Sequence, residues 1–331
     1  MADASGGATS RSVRRSLDVS DLLRRARDGD ARAVARLISL VEDEHPVLRE
    51  VMAALAPHTG NAQVVGLTGA PGVGKSTSTS ALVRAYRAQG LRVGVLAVDP
   101  SSPFTGGAIL GDRVRMQDHA TDSGVYIRSM SSRGHLGGLA AATPQAVRVL
   151  EAAGCDVVIV ETVGVGQAEV EVASLADTTL VLLAPGMGDA IQAVKAGILE
   201  IADVFVVNKA DRDGADQTVR DIRGMIALGD RGPGDWRPTI VKTVAAREEG
   251  VDDVISAIGG HRDWLIRHGE LERRRRTRAA AEIEAVTLAS VRERIGAHHD
   301  GALLDSLAGK VVAGALDPYA AADELMRGLD I

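Results

Sequence analysis

Between Gln63 and about Thr243, short apolar runs alternate with longer stretches of helical spacing. The apolar runs are Val64–Thr68, Val93–Asp99, Val125–Ser129, Val157–Glu161, Thr179–Leu183, Val204–Asn208 and Thr239–Val241. Several are apolar throughout, without the alternation of a half-exposed strand, which predicts a sheet covered on both faces. Helical spacing predicts helices over Ser76–Gln89, Pro144–Ala153, Ile191–Ile201 and Gln217–Leu228. Strand and helix in alternation predict an α/β fold with a doubly wound, mostly parallel sheet.

The flanks carry helical spacing only. Leu22, Leu23 and Ala26, then Val34, Leu37, Ile38 and Val41, mark helices within Val19–Ala56, with Asp18 or Ser20 as a first cap. Pro57–Asn61 breaks that pattern. Beyond Gly250 the helical runs are Val251–Arg267, Leu271–Ile295, Ala302–Ala313 and Pro318–Leu329, interrupted at Gly296–Gly301. The chain therefore divides into a disordered tail (1–16), an N-terminal helical segment (17–60), a central α/β domain (61–258) and a C-terminal helical arm (259–331). Arg273–Arg276 reads either as a solvated helix face or as a nucleic-acid or membrane patch. A single short run in an acidic chain favours the solvated face. An arm outside the main domain has apolar surface to cover, and dimerisation or partner binding is the natural use.

Composition narrows the classes. The 331 residues are 45% hydrophobic, enough for a sizeable core. The net charge is -6, from 44 acidic and 38 basic residues, and aromatics are 2%, so neither an electrostatic footprint nor a stacking platform for nucleic acid is present. Cys155 is the one cysteine, which excludes an intrachain disulfide or a cysteine metal cluster and fits a reducing cytoplasm. No apolar run reaches the ~20 residues that span a bilayer, and the polar N-terminus lacks a signal-peptide core.

Gly69-Ala-Pro-Gly-Val-Gly-Lys-Ser76 matches the phosphate-binding loop G-x-x-x-x-G-K-[ST], and it lies between a predicted strand and a predicted helix. This makes the fold a P-loop NTPase. Gly69, Ala70, Pro71, Gly72, Val73, Gly74, Lys75, Ser76 and Thr77 would wrap the phosphates, with the helix N-terminus aiming its N–H groups at them. Lys75 would reach the β- and γ-phosphates, and the Ser76 hydroxyl would bind Mg²⁺. Asn208-Lys-Ala-Asp211 ends another strand as N-K-x-D. Asp211 can accept from guanine N1–H and the 2-amino group, whereas adenine would leave that carboxylate unpaired. Asn208 would hold the loop and the base edge, Lys209 would lie along the base plane, and Ala245 sits in a loop that can supply the last base contact.

Glu161 closes the strand expected beside the P-loop strand, where it can hold the Mg²⁺ shell or position water, and the Gly164 N–H can sense a γ-phosphate. Asp99 and Asp112 are further candidate metal acids; the competing reading of Asp112, a helix N-cap before Arg113–Gln117, is the less favoured one. Glycine-rich loops carry His135, a relay or a structural hydrogen-bonder, and Lys195, which spacing alone makes an ordinary surface lysine.

Together these segments resemble the MeaB/ArgK family of P-loop GTPases, the methylmalonyl-CoA mutase-associated GTPases, from about Leu22 onward. The resemblance rests on Gly69–Thr77, Val98–Pro103, Gly106–Arg113, Ser132–Gly138, Glu161–Gln167 and Asn208–Asp211. It implies a homodimeric GTPase that serves an adenosylcobalamin-dependent acyl-CoA mutase as a chaperone, gating cofactor loading and protecting it from inactivation. It also implies that Ser76, Asp99, Asp112 and Glu161 are Mg²⁺ and switch residues, and that Lys195 belongs to a third switch loop acting in hydrolysis, with Lys75 and Glu161. Family members often carry two adjacent lysines there; this chain has Lys195 followed by Ala196. No D-x-H-x-x-G motif is present, so cobalamin is expected on the partner. Metal-delivery GTPases and a transport-associated ATPase or kinase are the alternatives. The first needs a metal relay of cysteine and histidine, and Asp211 argues against the second.

Overall fold

Each of the seven apolar runs forms a strand: β1 (Gln63–Gly69), β2 (Val93–Pro100), β3 (Val125–Ser132), β4 (Val157–Thr162), β5 (Thr178–Leu183), β6 (Val204–Val207) and β7 (Thr239–Lys242). They make one sheet in the order β3-β2-β4-β1-β5-β6-β7, and every pairing is parallel. The structure is a computed structural model, and it describes residues 18–100, 117–119, 121–132, 142–162, 168–186, 198–229, 232, 234–297 and 302–328.

Continuous apolarity in β1 and β4 follows from burial on both sides. Val65, Leu67 and Ile159 face one layer, with Ala81, Leu82 and Val83 of α4 (Lys75–Ala88) and Val251, Val254 and Ile258 of α8 (Val251–Arg267). Val64, Val158 and Val160 face the other. That layer contains α1 (Val19–Arg27), α2 (Ala31–Glu42), α3 (Leu48–Leu55), α5 (Ala142–Ala152) and α6 (Ala168–Leu175). The N-terminal helices thus share a core with the sheet. Each fully buried Val, Leu or Ile contributes about 1.5–3 kcal/mol. Asp18 caps α1 by accepting from the Asp21 N–H at 2.9 Å. A third cluster packs Phe205 and Val207 against Ile222 of α7 (Ala215–Leu228).

The helical spacing of α6 is too weak to announce it, because its eight residues carry no clean one-sided stripe. It forms through tertiary contact. At Gly66 of β1 an added Cβ would lie 2.9 Å from Ala176 Cβ and 3.0 Å from Val172 Cγ2, so the glycine admits the end of this helix. Of the predicted helix Ile191–Ile201, only a turn at Ile198–Ile201 falls within the described residues.

Within the expected arm, α8 is followed by α9 (Glu270–Ala297), α10 (Ala302–Val312) and α11 (Pro318–Gly328). Here the solvated reading of the arginine run needs correction. Arg273 and Arg276 do face solvent, paired with Glu270 and Glu272 of their own helix. Arg274 and Arg275 turn inward, joined by Arg278. Arg274 bonds both Asp203 carboxylate oxygens at 3.0 Å. Arg275 and Arg278 each reach Asp177 at 2.7 Å. Asp177 and Asp203 directly precede β5 and β6, at the N-terminal edge of the sheet. The run is therefore a clamp that ties the arm beneath the sheet, opposite the strand ends that carry the P-loop. Further out, Glu282 of α9 pairs with Arg148 of α5 at 2.6 Å.

A candidate nucleotide-binding site

The P-loop joins the C-terminal end of β1 to the N-terminus of α4, and two of its glycines are required by close approach. Gly69 has φ 143°, and a Cβ there would lie 2.3 Å from Leu182 O in β5. Gly74, the N-cap of α4, has φ 97°, and its Cβ would lie 2.5 Å from Asn208 Nδ2. No other residue type tolerates both the left-handed backbone and the crowding. Pro71 and Gly72 are exposed, Ala70 and Gly74 half-buried and Val73 buried, while Thr77 points outward from the first turn of α4. The Lys75 ammonium folds back over the loop and donates to Gly69 O at 2.7 Å and Ala70 O at 3.1 Å. A buried cation held above a ring of backbone is suited to a phosphate anion at a helix N-terminus.

Beside it, β4 delivers Glu161, which is 4% exposed and in parallel register with Leu67 of β1. Glu161 Oε1 accepts from Ser76 Oγ at 2.8 Å, and Oε2 accepts from Thr79 Oγ1 at 2.8 Å. Thr162 donates to Thr68 Oγ1 at 3.1 Å, locking the two strand ends together. Ser76 and Glu161 supply hard oxygen donors on neighbouring elements. That set fits Mg²⁺, which takes one or two protein oxygens alongside phosphates and water. Ser76 would hold the ion, with Glu161 behind it.

Asn208 organises the other half. It follows β6, and its side chain spans three segments. Nδ2 donates to Val73 O at 2.8 Å in the P-loop. Oδ1 accepts from Thr243 Oγ1 at 3.2 Å and from the Ala245 N–H at 3.0 Å, both after β7. Lys209, at φ 57°, donates to Gly72 O at 2.7 Å, so its stem lies over the P-loop. The segment after β6 and the segment after β7 are thereby docked on the P-loop as one unit. Asp211 lies 40% exposed at the mouth, with Arg247 NH1 3.6 Å away. Arg247 is itself forked onto Glu249 at 2.8 and 3.3 Å. Such an exposed pair is worth about 0–1 kcal/mol, so it leaves Asp211 available to a ligand.

The structure thus gathers Gly69 to Thr77, Glu161, Asn208, Lys209, Asp211 and Ala245 at one edge of the sheet. Asp112, Gly164, Lys195 and His135 lie outside the described residues, and so does the side chain of Asp99, whose backbone lies in the last two residues of β2. His119 closes the segment that follows Asp112 in sequence and shares a 2.9 Å hydrogen bond with Ser80 of α4. Burial, helped by the charge of Arg84, pushes its pKa below the ordinary value and keeps it neutral near pH 7. Sequence reasoning missed Thr79, Thr243 and Arg247. Thr79 alone had a usable signal, three residues beyond Ser76 on the same helix face. Burial pushes the Cys155 thiol up to about 12, which makes it a core residue rather than a nucleophile.

A parallel α/β sheet with a P-loop, a strand-end carboxylate bonded to the P-loop serine, and an N-K-x-D segment bonded to the loop defines a P-loop GTPase. The model of the methylmalonyl-CoA mutase-associated GTPase MeaB family matches residues 34–300, and the chain belongs to that family. It is 47% identical over 312 residues to a protein of Pyrococcus abyssi (strain GE5 / Orsay), covering 93% of this chain and 96% of the other. It is 33% identical over 317 residues to the mitochondrial "Methylmalonic aciduria type A homolog" of Mus musculus, covering 90% of this chain and 76% of that one. The crystal structure of an LAO/AO transport system kinase superposes with a TM-score of 0.70 at 28% identity, covering 95% of this chain and 98% of that one.

Proposed function

We propose that this GTPase is a Mg²⁺-dependent chaperone of an adenosylcobalamin-dependent acyl-CoA mutase, with methylmalonyl-CoA mutase as its partner. It would gate cofactor loading and protect the mutase from inactivation. The observation that carries the partner is the family match over residues 34–300, whose description names association with that mutase. The cobalamin belongs to the mutase, and this chain takes GTP.

In this reading Lys75 exchanges Gly69 O and Ala70 O for the β- and γ-phosphates. Ser76 would hold Mg²⁺, which would supply shielding of the phosphate charge, and Glu161 fixes Ser76 from behind. Asp99, Asp112 and Gly164 complete the cation and γ-phosphate contacts, and Lys195 acts on charge developing in hydrolysis. Asp211 accepts from the guanine edge, Lys209 lies along the base, and the loop of Ala245 closes the pocket. The glycine-rich segments that carry Asp112, His135 and Lys195 respond to the γ-phosphate and alter the contact with the mutase, and hydrolysis reverses it. The protein works as a cytoplasmic homodimer through its C-terminal arm, where Ile283, Leu288, Val312 and Tyr319 are exposed apolar side chains. Among the described residues no helix is long and apolar enough to cross a membrane.

The test is co-purification with methylmalonyl-CoA mutase in the nucleotide-free, GDP and non-hydrolysable GTP states. Binding that differs between the GDP and GTP-analogue states is expected. No mutase bound in any state overturns the proposal.

A further inference from the structure

The two oxygens of Glu161 are divided between two hydroxyls of α4. Ser76 takes Oε1 and Thr79 takes Oε2, each at 2.8 Å. Thr79 is 0% exposed, so its hydroxyl makes this bond away from competing water. Residues three apart on a helix share a face, which lets one turn of α4 grip both ends of one carboxylate. Its β-branched side chain restricts χ1, so the grip has little freedom. A serine hydroxyl has one proton and two lone pairs. When the proton goes to Glu161, what the oxygen can offer a cation is lone-pair density, and the direction of that density depends on where Oε1 stands.

We propose that Thr79 is a positioning residue of the cation site. It holds Glu161 Oε2 so that Oε1 takes the Ser76 proton and the Ser76 oxygen is preset toward Mg²⁺. The inference rests on the reading of Ser76 and Glu161 as the cation pair. Thr79 touches neither nucleotide nor metal; it acts through Glu161. Without its hydroxyl the carboxylate gains a rotation about its own axis, and Ser76 spends part of its time with its proton directed elsewhere. The cation then binds a less organised oxygen, while the phosphate contacts of Lys75 and the P-loop backbone are retained.

The experiment uses the full chain and a fluorescent GDP analogue, titrated with Mg²⁺ and also measured in EDTA. Thr79→Val keeps the shape and removes the hydroxyl; Thr79→Ala is the second deletion, should the first fail to fold; Thr79→Ser keeps the hydroxyl. Ser76→Ala and Glu161→Gln report the cation pair itself. The Mg²⁺ concentration giving half its effect on GDP affinity is expected to rise about three- to tenfold in Thr79→Val, the scale of one ordinary net hydrogen bond, because the lost bond acts on the cation only through Glu161. That rise should exceed any change in metal-free affinity, and Thr79→Ser should restore the midpoint. An unmoved midpoint in Thr79→Val and Thr79→Ala, with Ser76→Ala and Glu161→Gln displaced, overturns the role of Thr79 alone. A loss of GDP affinity equal with and without Mg²⁺ also overturns it, since that marks a structural contact. If Ser76→Ala and Glu161→Gln leave the midpoint in place, the cation reading itself fails.

Discussion

Asn208 shows how one side chain can tie three segments together at the edge of the proposed nucleotide site. Its three bonds to Val73 O, Thr243 Oγ1 and the Ala245 N–H are all in a buried setting. An alanine there strands a carbonyl, a hydroxyl and an amide, each costing about 1–3 kcal/mol when buried without a partner. Asn208→Ala should therefore lose on the order of 3 kcal/mol of stability, read as a lower thermal midpoint. It should also weaken GDP and GTP binding by at least about tenfold, because the segment bearing Asp211 loses its hold on the P-loop. A variant with wild-type nucleotide affinity would remove Asn208 from the site. Motif spacing pointed to Asn208 as a loop holder; it contained nothing of the Thr243 hydroxyl that completes the bond set, because that contact is closed across two strands.

At the scale of elements, the arm and the sheet meet through buried carboxylates. Burial pushes the Asp177 carboxyl up, but Arg275 and Arg278 outweigh it and hold the group below its ordinary value. Asp177 also accepts the Val64 N–H at 3.1 Å, so the clamp reaches the P-loop strand. Asp177→Asn keeps the shape and removes the charge facing two arginines. About 2–3 kcal/mol should be lost, less than for a fully buried pair because the arginines keep some solvent contact. Faster amide exchange in α9 would localise that loss to the arm. Nearby, His261 is 0% exposed, 3.2 Å from Asp203 Oδ1 and bonded to Thr178 Oγ1 at 2.9 Å. Burial lowers its pKa to about 4 from 6.5, against the opposing pull of Asp203. The unfolded chain therefore binds the proton first as pH falls. Stability should be flat with respect to this group above pH 6.5 and decline by up to about 3 kcal/mol between pH 6.5 and 4. The loss from Asp177 comes lower, as pH falls below its ordinary 3.8. Trp236 and Trp264, the protein's two tryptophans, lie with ring centroids 4.7 and 6.2 Å from His261, so intrinsic fluorescence reads this region. His261→Asn should flatten the upper window; an unchanged pH profile would show that another group titrates there.

Over the whole molecule, the two edges of one sheet carry different tasks. The C-terminal edge gathers the P-loop, Glu161 and Asn208. The N-terminal edge anchors the arm through Asp177 and Asp203. Val312 and Tyr319, 88% and 85% exposed, extend apolar surface away from the sheet. If the arm forms the proposed homodimer, replacing both with lysine should shift the mass measured by light scattering toward a monomer while nucleotide affinity is kept. A dimer that survives the double substitution places the interface elsewhere.

Local pattern was enough to determine the seven strands, the P-loop and the N-K-x-D segment. A strand buried on both faces must be apolar throughout, and a phosphate cradle must carry glycines, lysine and a hydroxyl at set spacing. These demands act within a few residues, so they are written in the order of the chain. The arginine clamp, α6 and the Thr79–Glu161 contact depended on the tertiary structure. Arg275 lies 98 residues from Asp177, and Thr79 lies 82 from Glu161. Nothing local distinguishes an arginine that will meet a buried carboxylate from one that will meet water. That difference arises only when the sheet brings the partners together and removes the solvent between them.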